Sequence, residues 1–273
     1  MSLRYKNLAV ALAALVLWLA ACSSPAVPPT ATPPPETALS ISGSGSVSSV
    51  LTVIKPAFEQ AAVGYNLNIL SGVGTGGGVK GVLDGTLDVA AMARAPKDDE
   101  TAAGLQYVEF GQTPVVMLLH PDIAVSSLSQ EQVKAIFAGD IANWSEVGGP
   151  ALPLVLYVRD EDDAATGALR QALLGDDAFP TTASILTSAS DMMTAIESTP
   201  GSVGFGSYAS MIASGKQVTA AALDDIKADD SQYPIQLTLG IGYVTARQAA
   251  VQPLIDWLKS EPGQTVLEQY GVQ

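Results

Sequence analysis

Cysteine and histidine each occur once in the chain, as Cys22 and His120. A single thiol near the N-terminus leaves the body of the protein without a disulfide, a zinc site built on paired cysteines or a cysteine nucleophile. The lone imidazole sits in the stretch LLHPD, and no G-x-S-x-G elbow supplies a serine for it to activate. Neither catalysis nor a metal or other cofactor is therefore expected. Basic residues are scarce too: 13 Lys and Arg stand against 27 Asp and Glu, a formal net charge of −14. Such a surface repels phosphate backbones, which argues against a nucleic-acid partner. Charged residues make up 15% of the chain and hydrophobic ones 48%, so the composition is that of a globular chain with ample core.

No apolar run is long enough for a comfortable membrane span. The nearest is LAVALAALVLWLA, which follows the basic MSLRYKN and precedes LAAC, ending at Cys22. That order reads as a signal peptide over residues 1–21. A cysteine directly after the small residues of the cut site resembles the bacterial lipoprotein signal, which implies lipidation at Cys22. Residues 23–38, SSPAVPPTATPPPETA, hold six of the 17 prolines and almost no large apolar side chain. They read as an extended tether, so residues 22–37 are expected to hold an exported domain to the extracytoplasmic face of a membrane.

From Ala38 onward, short apolar stretches alternate with helical patterns. ALSISG precedes VSSVLTVIKPAFEQAA, whose apolar positions 47, 50, 51, 54 and 58 mark one helix face. LNILSG, LDVAAMA, TPVVMLLH, LPLVLYV, GSVGFG and IQLTLGIGYV read as further strands. GGVKGVLDG, SQEQVKAIFAG, ATGALRQALLG, ASDMMTAIES, RQAAVQPLIDWLKS and PGQTVLEQYG read as helices. The alternation predicts an α/β chain with largely parallel sheet, and ligands then belong at the carboxyl ends of strands.

Three such ends stand out: GSGSVSS at 43–49, SGVGTGGGVKG at 71–81, and the stretch from Arg159 to Gly167. Gly72, Gly74 and Gly77 fit G-x-G-x-x-G, but Asp88 lies at the start of the following strand instead of its far end, as a dinucleotide site would need. Lys80 is preceded by Val79 and followed by Gly81, so no Gly-Lys-Ser/Thr phosphate loop exists. What remains is a run of backbone N–H groups beside Thr75. In the third stretch Arg159 is followed by four acids, Asp160, Glu161, Asp162 and Asp163, and Asp163 is placed to cap a helix over 164–174. Ala165 stands where a calcium loop would need glycine.

These segments together resemble the phosphate-type (PstS-like) substrate-binding proteins of bacterial ABC transporters. ISGSGSV is similar to the family's first ligand loop, and GVGTGGGVKGVLDGTLDVAAMARAPKDDE to its second loop with the helix and strand that follow. LSQEQVKAIFAGDIANWSEVGG, TPGSVGFGSYA and LIDWLKSEPGQTVLEQYGV carry the likeness to the C-terminus. The resemblance implies a two-lobed periplasmic-binding-protein fold (type II), with a ligand cleft between lobes joined by hinge strands. The first lobe is expected over 38–118 and 207–273, the second over 119–206. It also implies a small, phosphate-like oxyanion as ligand, an ABC permease as partner, a monomer, and binding without turnover.

Carried over position by position, the resemblance makes Ser44, Gly45, Ser46, Thr75, Gly76, Arg159, Asp163, Ala164 and Ala165 the expected ligand contacts. Arg94 is a weaker candidate, because it stands near acids such as Asp88 and Asp98 with which it would pair. Three departures matter. The family's Ser-Gly-Thr after the arginine is Asp163, Ala164 and Ala165; the threonine-like position of the first loop is Gly45; and a ligand-facing Ser or Asp is Ala93. The alternative is therefore a ligand-altered or non-binding relative acting as a cell-surface sensory or interaction protein.

Overall fold

The computed structural model describes residues 37–273. The expected signal peptide, the lipidation site Cys22 and the proline-rich stretch up to residue 36 lie outside the described residues. Among those described, no helix is long and apolar enough to cross a membrane.

The first half of the fold alternates strand and helix. Strand β1 (Thr37–Gly43) is followed by helix α1 (Gly45–Ala61), β2 (Tyr65–Ile69) by α2 (Gly74–Leu83), and β3 (Val89–Met92) by the short α3 (Asp98–Ala102). The long β4 (Leu105–Leu119) crosses to the second half. There β5 (Ser127–Leu128) leads into α4 (Gln130–Ala138), and β6 (Val155–Arg159) into α5 (Ala164–Leu169), which a π turn prolongs to Leu174. Then come β7 (Ser184–Leu186), α6 (Ala189–Ser198), β8 (Ser202–Ser207), α7 (Tyr208–Ser214) and β9 (Thr219–Leu223). Strand β10 (Gln236–Val244) returns to the first half, and α8 (Gln248–Lys259) and α9 (Glu261–Glu268) close the chain.

The sheet order is β2-β1-β3-β10-β4-β8-β6-β7, with β9 beside β4 and β5 beside β9. Two equal modules can be read in that order. Parallel β2-β1-β3 meets antiparallel β10 and then β4 residues 105–114; parallel β7-β6-β8 meets antiparallel β4 residues 115–119 and then β9. Strand β4 thus serves both modules. The sequence pattern marks only its second part, TPVVMLLH, because LQYVEFGQ lacks a continuous apolar run. Residues 219–223 hydrogen-bond to Met117–Leu119 and to Ser127–Leu128. Strand partners therefore change near Val115 and again just before Gln236.

The core follows from the periodicities. Val47, Val50, Leu51, Ile54 and Phe58, one face of α1, are all fully buried against β1, whose Leu39 and Ile41 are buried with them. Each such side chain contributes about 1.5–3 kcal/mol by leaving water. Trp144 is the largest fully buried side chain, and its indole N–H donates to the Gly201 carbonyl at 2.8 Å. Asn143-Trp144, within LSQEQVKAIFAGDIANWSEVGG, is therefore a packing feature: Asn143 caps the turn that holds Trp144, and Gly148 ends it at φ 84°.

Candidate functional site

Four strand ends converge on one cavity of about 450 Å³, a volume usual for small-molecule sites. Gly45 comes from the end of β1, Gly72 and Gly74 from the end of β2, Arg159 and Asp163 from the end of β6, and Thr187–Ser190 from the end of β7. Ser48 and Ser49 of α1 and Ser210 and Ser214 of α7 complete the wall. Among the described residues, Arg159 and Asp163 are the only charged ones that line it.

The first module presents bare helix N-termini. Ser44 precedes α1, but its side chain makes no capping bond and its own N–H is used by the Ala91 carbonyl. The first N–H groups of a helix have no partner within it, so those of Gly45, Ser46 and Val47 are left for a ligand or water. Val73 before α2 has no side chain able to cap, which leaves Gly74, Thr75 and Gly76 in the same condition. Glycine makes this packing possible. A Cβ on Gly43 would lie 2.2 Å from the Ala91 carbonyl oxygen, and one on Gly78 would lie 2.6 Å from the Ser42 oxygen. Thr75 is buried, and its hydroxyl oxygen accepts from the Ala93 N–H at 3.2 Å, leaving its proton to donate. Ser48 is 9% exposed and its hydroxyl has no partner.

The second module caps its own helices. Asp163 Oδ1 accepts from the N–H groups of Ala165 and Thr166 at 3.1 and 3.3 Å, and Oδ2 accepts from Arg159 Nη2 at 3.0 Å. Ser188 caps α6 by accepting from the Asp191 N–H at 3.0 Å. Arg159 is 9% exposed, and its Nε has no partner. The remaining acids of the run face outward, and Glu161 forms a bidentate pair with Arg170 at 2.7 Å. The hydrogen bonds from Arg170 hold the Glu161 carboxyl below the usual range. The same guanidinium lies 4.4 Å above the Phe179 ring and binds the carbonyls of Gly175 and Asp177.

Of the expected contacts, Gly45, Arg159 and Asp163 line the cavity. Ser44, Ser46 and Thr75 are buried just outside that lining, Gly76 is exposed on the first turn of α2, and Ala164 and Ala165 form the first turn of α5. Arg94 is engaged elsewhere: its Nη1 and Nη2 donate to Glu100 at 2.8 and 2.7 Å. This pair raises the guanidinium's pKa and lowers that of Glu100. The acid partner is thus neither Asp88 nor Asp98; Asp88 binds Ser40 and Arg247 instead. His120 is buried, and its Nδ1 accepts from the Asp122 N–H. Among the described residues, no cluster of three or more His, Cys, Asp or Glu could hold a metal ion.

The β7 end is not among the strand ends that the sequence pattern marks. Its signal is Ser188-Ala189-Ser190-Asp191, a serine followed three residues later by an acid at the start of an amphipathic helix. The preceding strand is three residues long and mostly exposed, too short to register as a strand by pattern.

The chain is 27% identical over 236 residues to the phosphate-binding protein PstS of Bacillus subtilis (strain 168), covering 82% of this chain and 75% of that protein. It is 21% identical over 248 residues to PstS of Borreliella burgdorferi, covering 81% and 86%. In fold it is similar to a substrate-binding protein of a phosphate ABC transporter from Clostridium perfringens, solved with bound phosphate. That likeness has a TM-score of 0.76 at 24% identity and covers 86% of this chain and 98% of that one. Residues 28–262 match the family model of the PBP superfamily domain, and with its paired modules and shared cavity the chain belongs to that superfamily.

Proposed function

We propose that the protein is the extracytoplasmic solute-binding component of an ABC importer, that it acts as a monomer, and that its cavity takes phosphate or a related small oxyanion. The observation that carries this reading is the pair of uncapped helices, α1 and α2, facing Arg159 across one cavity. A dehydrated oxyanion needs hydrogen-bond donors in place of its water, and neutral N–H groups at the positive ends of helices supply them without a basic surface. The acidic net charge of −14 is therefore no obstacle. The two PstS relatives support the choice of ligand.

In this reading the lobes expected over 38–118 with 207–273, and over 119–206, take new boundaries where strand partners change, giving 37–114 with 236–273, and 115–235. Closure of the lobes about β4 and the approach to β10 buries the anion, and the closed form is what a permease would recognise. Lipid on Cys22 and the proline-rich tether keep the domain near the membrane while it samples solution. The role in this reading is binding without turnover, which the binding-protein relatives support.

Calorimetric titration with inorganic phosphate at neutral and mildly acidic pH tests the reading. Saturable heat at one site is the expected result; no heat at either pH would remove phosphate as the ligand. A second reading, a surface sensory or interaction protein that no longer transports, is favoured by the carboxylate of Asp163 standing beside Arg159. Loss of phosphate-dependent uptake on deletion of the gene would separate transport from that alternative.

A further inference from the structure

We infer that Asp163 is a specificity-determining residue: its carboxylate takes up donors that an oxyanion would otherwise use and holds the affinity of the cavity down. The inference rests on the reading of the cavity as an oxyanion site. Asp163 Oδ2 accepts from Arg159 Nη2, and Oδ1 accepts from the Ala165 and Thr166 amides. An anion entering beside Arg159 meets a cation whose charge is already compensated, and a negative group that only accepts hydrogen bonds.

Among the described residues, no other cation lines the cavity. Arg170 is bound to Glu161, Arg94 to Glu100, Lys55 to Glu59 and Arg247 to Asp88. Yet Arg159 is not used up, because its Nε remains buried and unpartnered on a residue that lines the cavity. The guanidinium thus divides its donors between a resident carboxylate and a free edge.

Helix capping alone does not account for an acid at this position. Serine and asparagine cap a helix as well as aspartate, without the charge. What the charge adds is its effect on Arg159 and on anything negative that approaches it. Asp163→Asn and Asp163→Ser each keep a capping acceptor and release the arginine.

The experiment is titration of the wild-type protein and both variants with inorganic phosphate and with sulfate, alongside thermal melts. The expected result is that both variants keep the wild-type melting behaviour within a few degrees and bind phosphate about 10- to 100-fold more tightly. Sulfate, which carries no proton at neutral pH, should gain at least as much. Wild-type binding with equal or weaker binding in both variants would overturn the inference and leave the phosphate reading standing. Binding by the variants alone would uphold the inference and remove phosphate as the wild-type ligand. No binding by any of the three would overturn both. Asparagine is nearly isosteric with aspartate, so it answers the question even where serine disturbs the fold.

Discussion

β1 and β6 hold the same place in the two modules, each the middle strand of a parallel triplet, and each delivers a helix to the cavity. After β1 the chain has Ser44-Gly45-Ser46, with no side-chain cap and three free amides at the start of a 17-residue helix. After β6 it has Asp163-Ala164-Ala165, with two amides and an arginine gathered on one carboxylate. The β2 and β7 ends repeat the contrast, since α2 is uncapped while α6 is capped by Ser188. One backbone plan thus gives an open donor surface on one side and a self-satisfied one on the other. The difference lies in a few side chains, not in topology, which is why fold and ligand must be argued separately.

Breaking the second side at its cation has the largest expected effect. Arg159→Ala removes the sole positive charge from the lining and leaves Asp163 unpaired, so phosphate affinity should fall at least about 100-fold. An unchanged dissociation constant would mean that the first module binds alone. Next comes the scaffold of the first side. Gly78→Ala sets a methyl 2.6 Å from the Ser42 oxygen and must push α2 off β1, at a cost of about 1–3 kcal/mol in urea unfolding. Stability equal to wild type would show that α2 is not held where the cavity needs it.

The caps offer a matched pair. Ser188→Ala should cost about 1 kcal/mol of stability, because a capping bond is lost. Ser44→Ala should cost under about 0.5 kcal/mol, because Ser44 caps nothing, and should act on anion affinity instead. Equal losses of stability would erase the contrast between the modules.

The smallest effect concerns Arg94, which the fold has turned into a structural residue. The hydrogen bond from Arg94 holds Glu100 below the ordinary carboxylate range. A depressed folded-state pKa means that the stabilisation is present above the unfolded value, about 4.3, and is lost as pH falls through the lower folded value. The pair is partly exposed, so about 0.5 kcal/mol is expected. Melts of Glu100→Gln and wild type should differ near neutrality and converge as the pH falls below the ordinary carboxylate range. A gap independent of pH would remove the ion pair from the account.

Much of this was legible in the residues. The apolar positions of α1 and the bounds 189–198 of α6 follow from helical spacing, and the role of Asp163 as a cap follows from its place between a strand and a helix. Pairing across sequence distance was not legible. That Arg159 reaches Asp163 and that Arg94 reaches Glu100 depends on rotamers and local bends that spacing does not encode. The crossing of β4 was hidden because its first part alternates polar and apolar residues beside β10, while its second part is continuously buried. Buried hydroxyls such as Ser48 join the site only through the tertiary packing of α1.

Amide proton–nitrogen NMR spectra recorded while inorganic phosphate is added test the central contrast most directly. The account predicts that the signals of Gly45, Ser46 and Val47 move first and furthest, as their free N–H groups take up the anion. The signals of Ala165 and Thr166 should stay in place, held by Asp163. Large shifts at Ala165 and Thr166 with none at Gly45–Val47 would contradict it, because the anion would then have displaced the carboxylate and bypassed the open side.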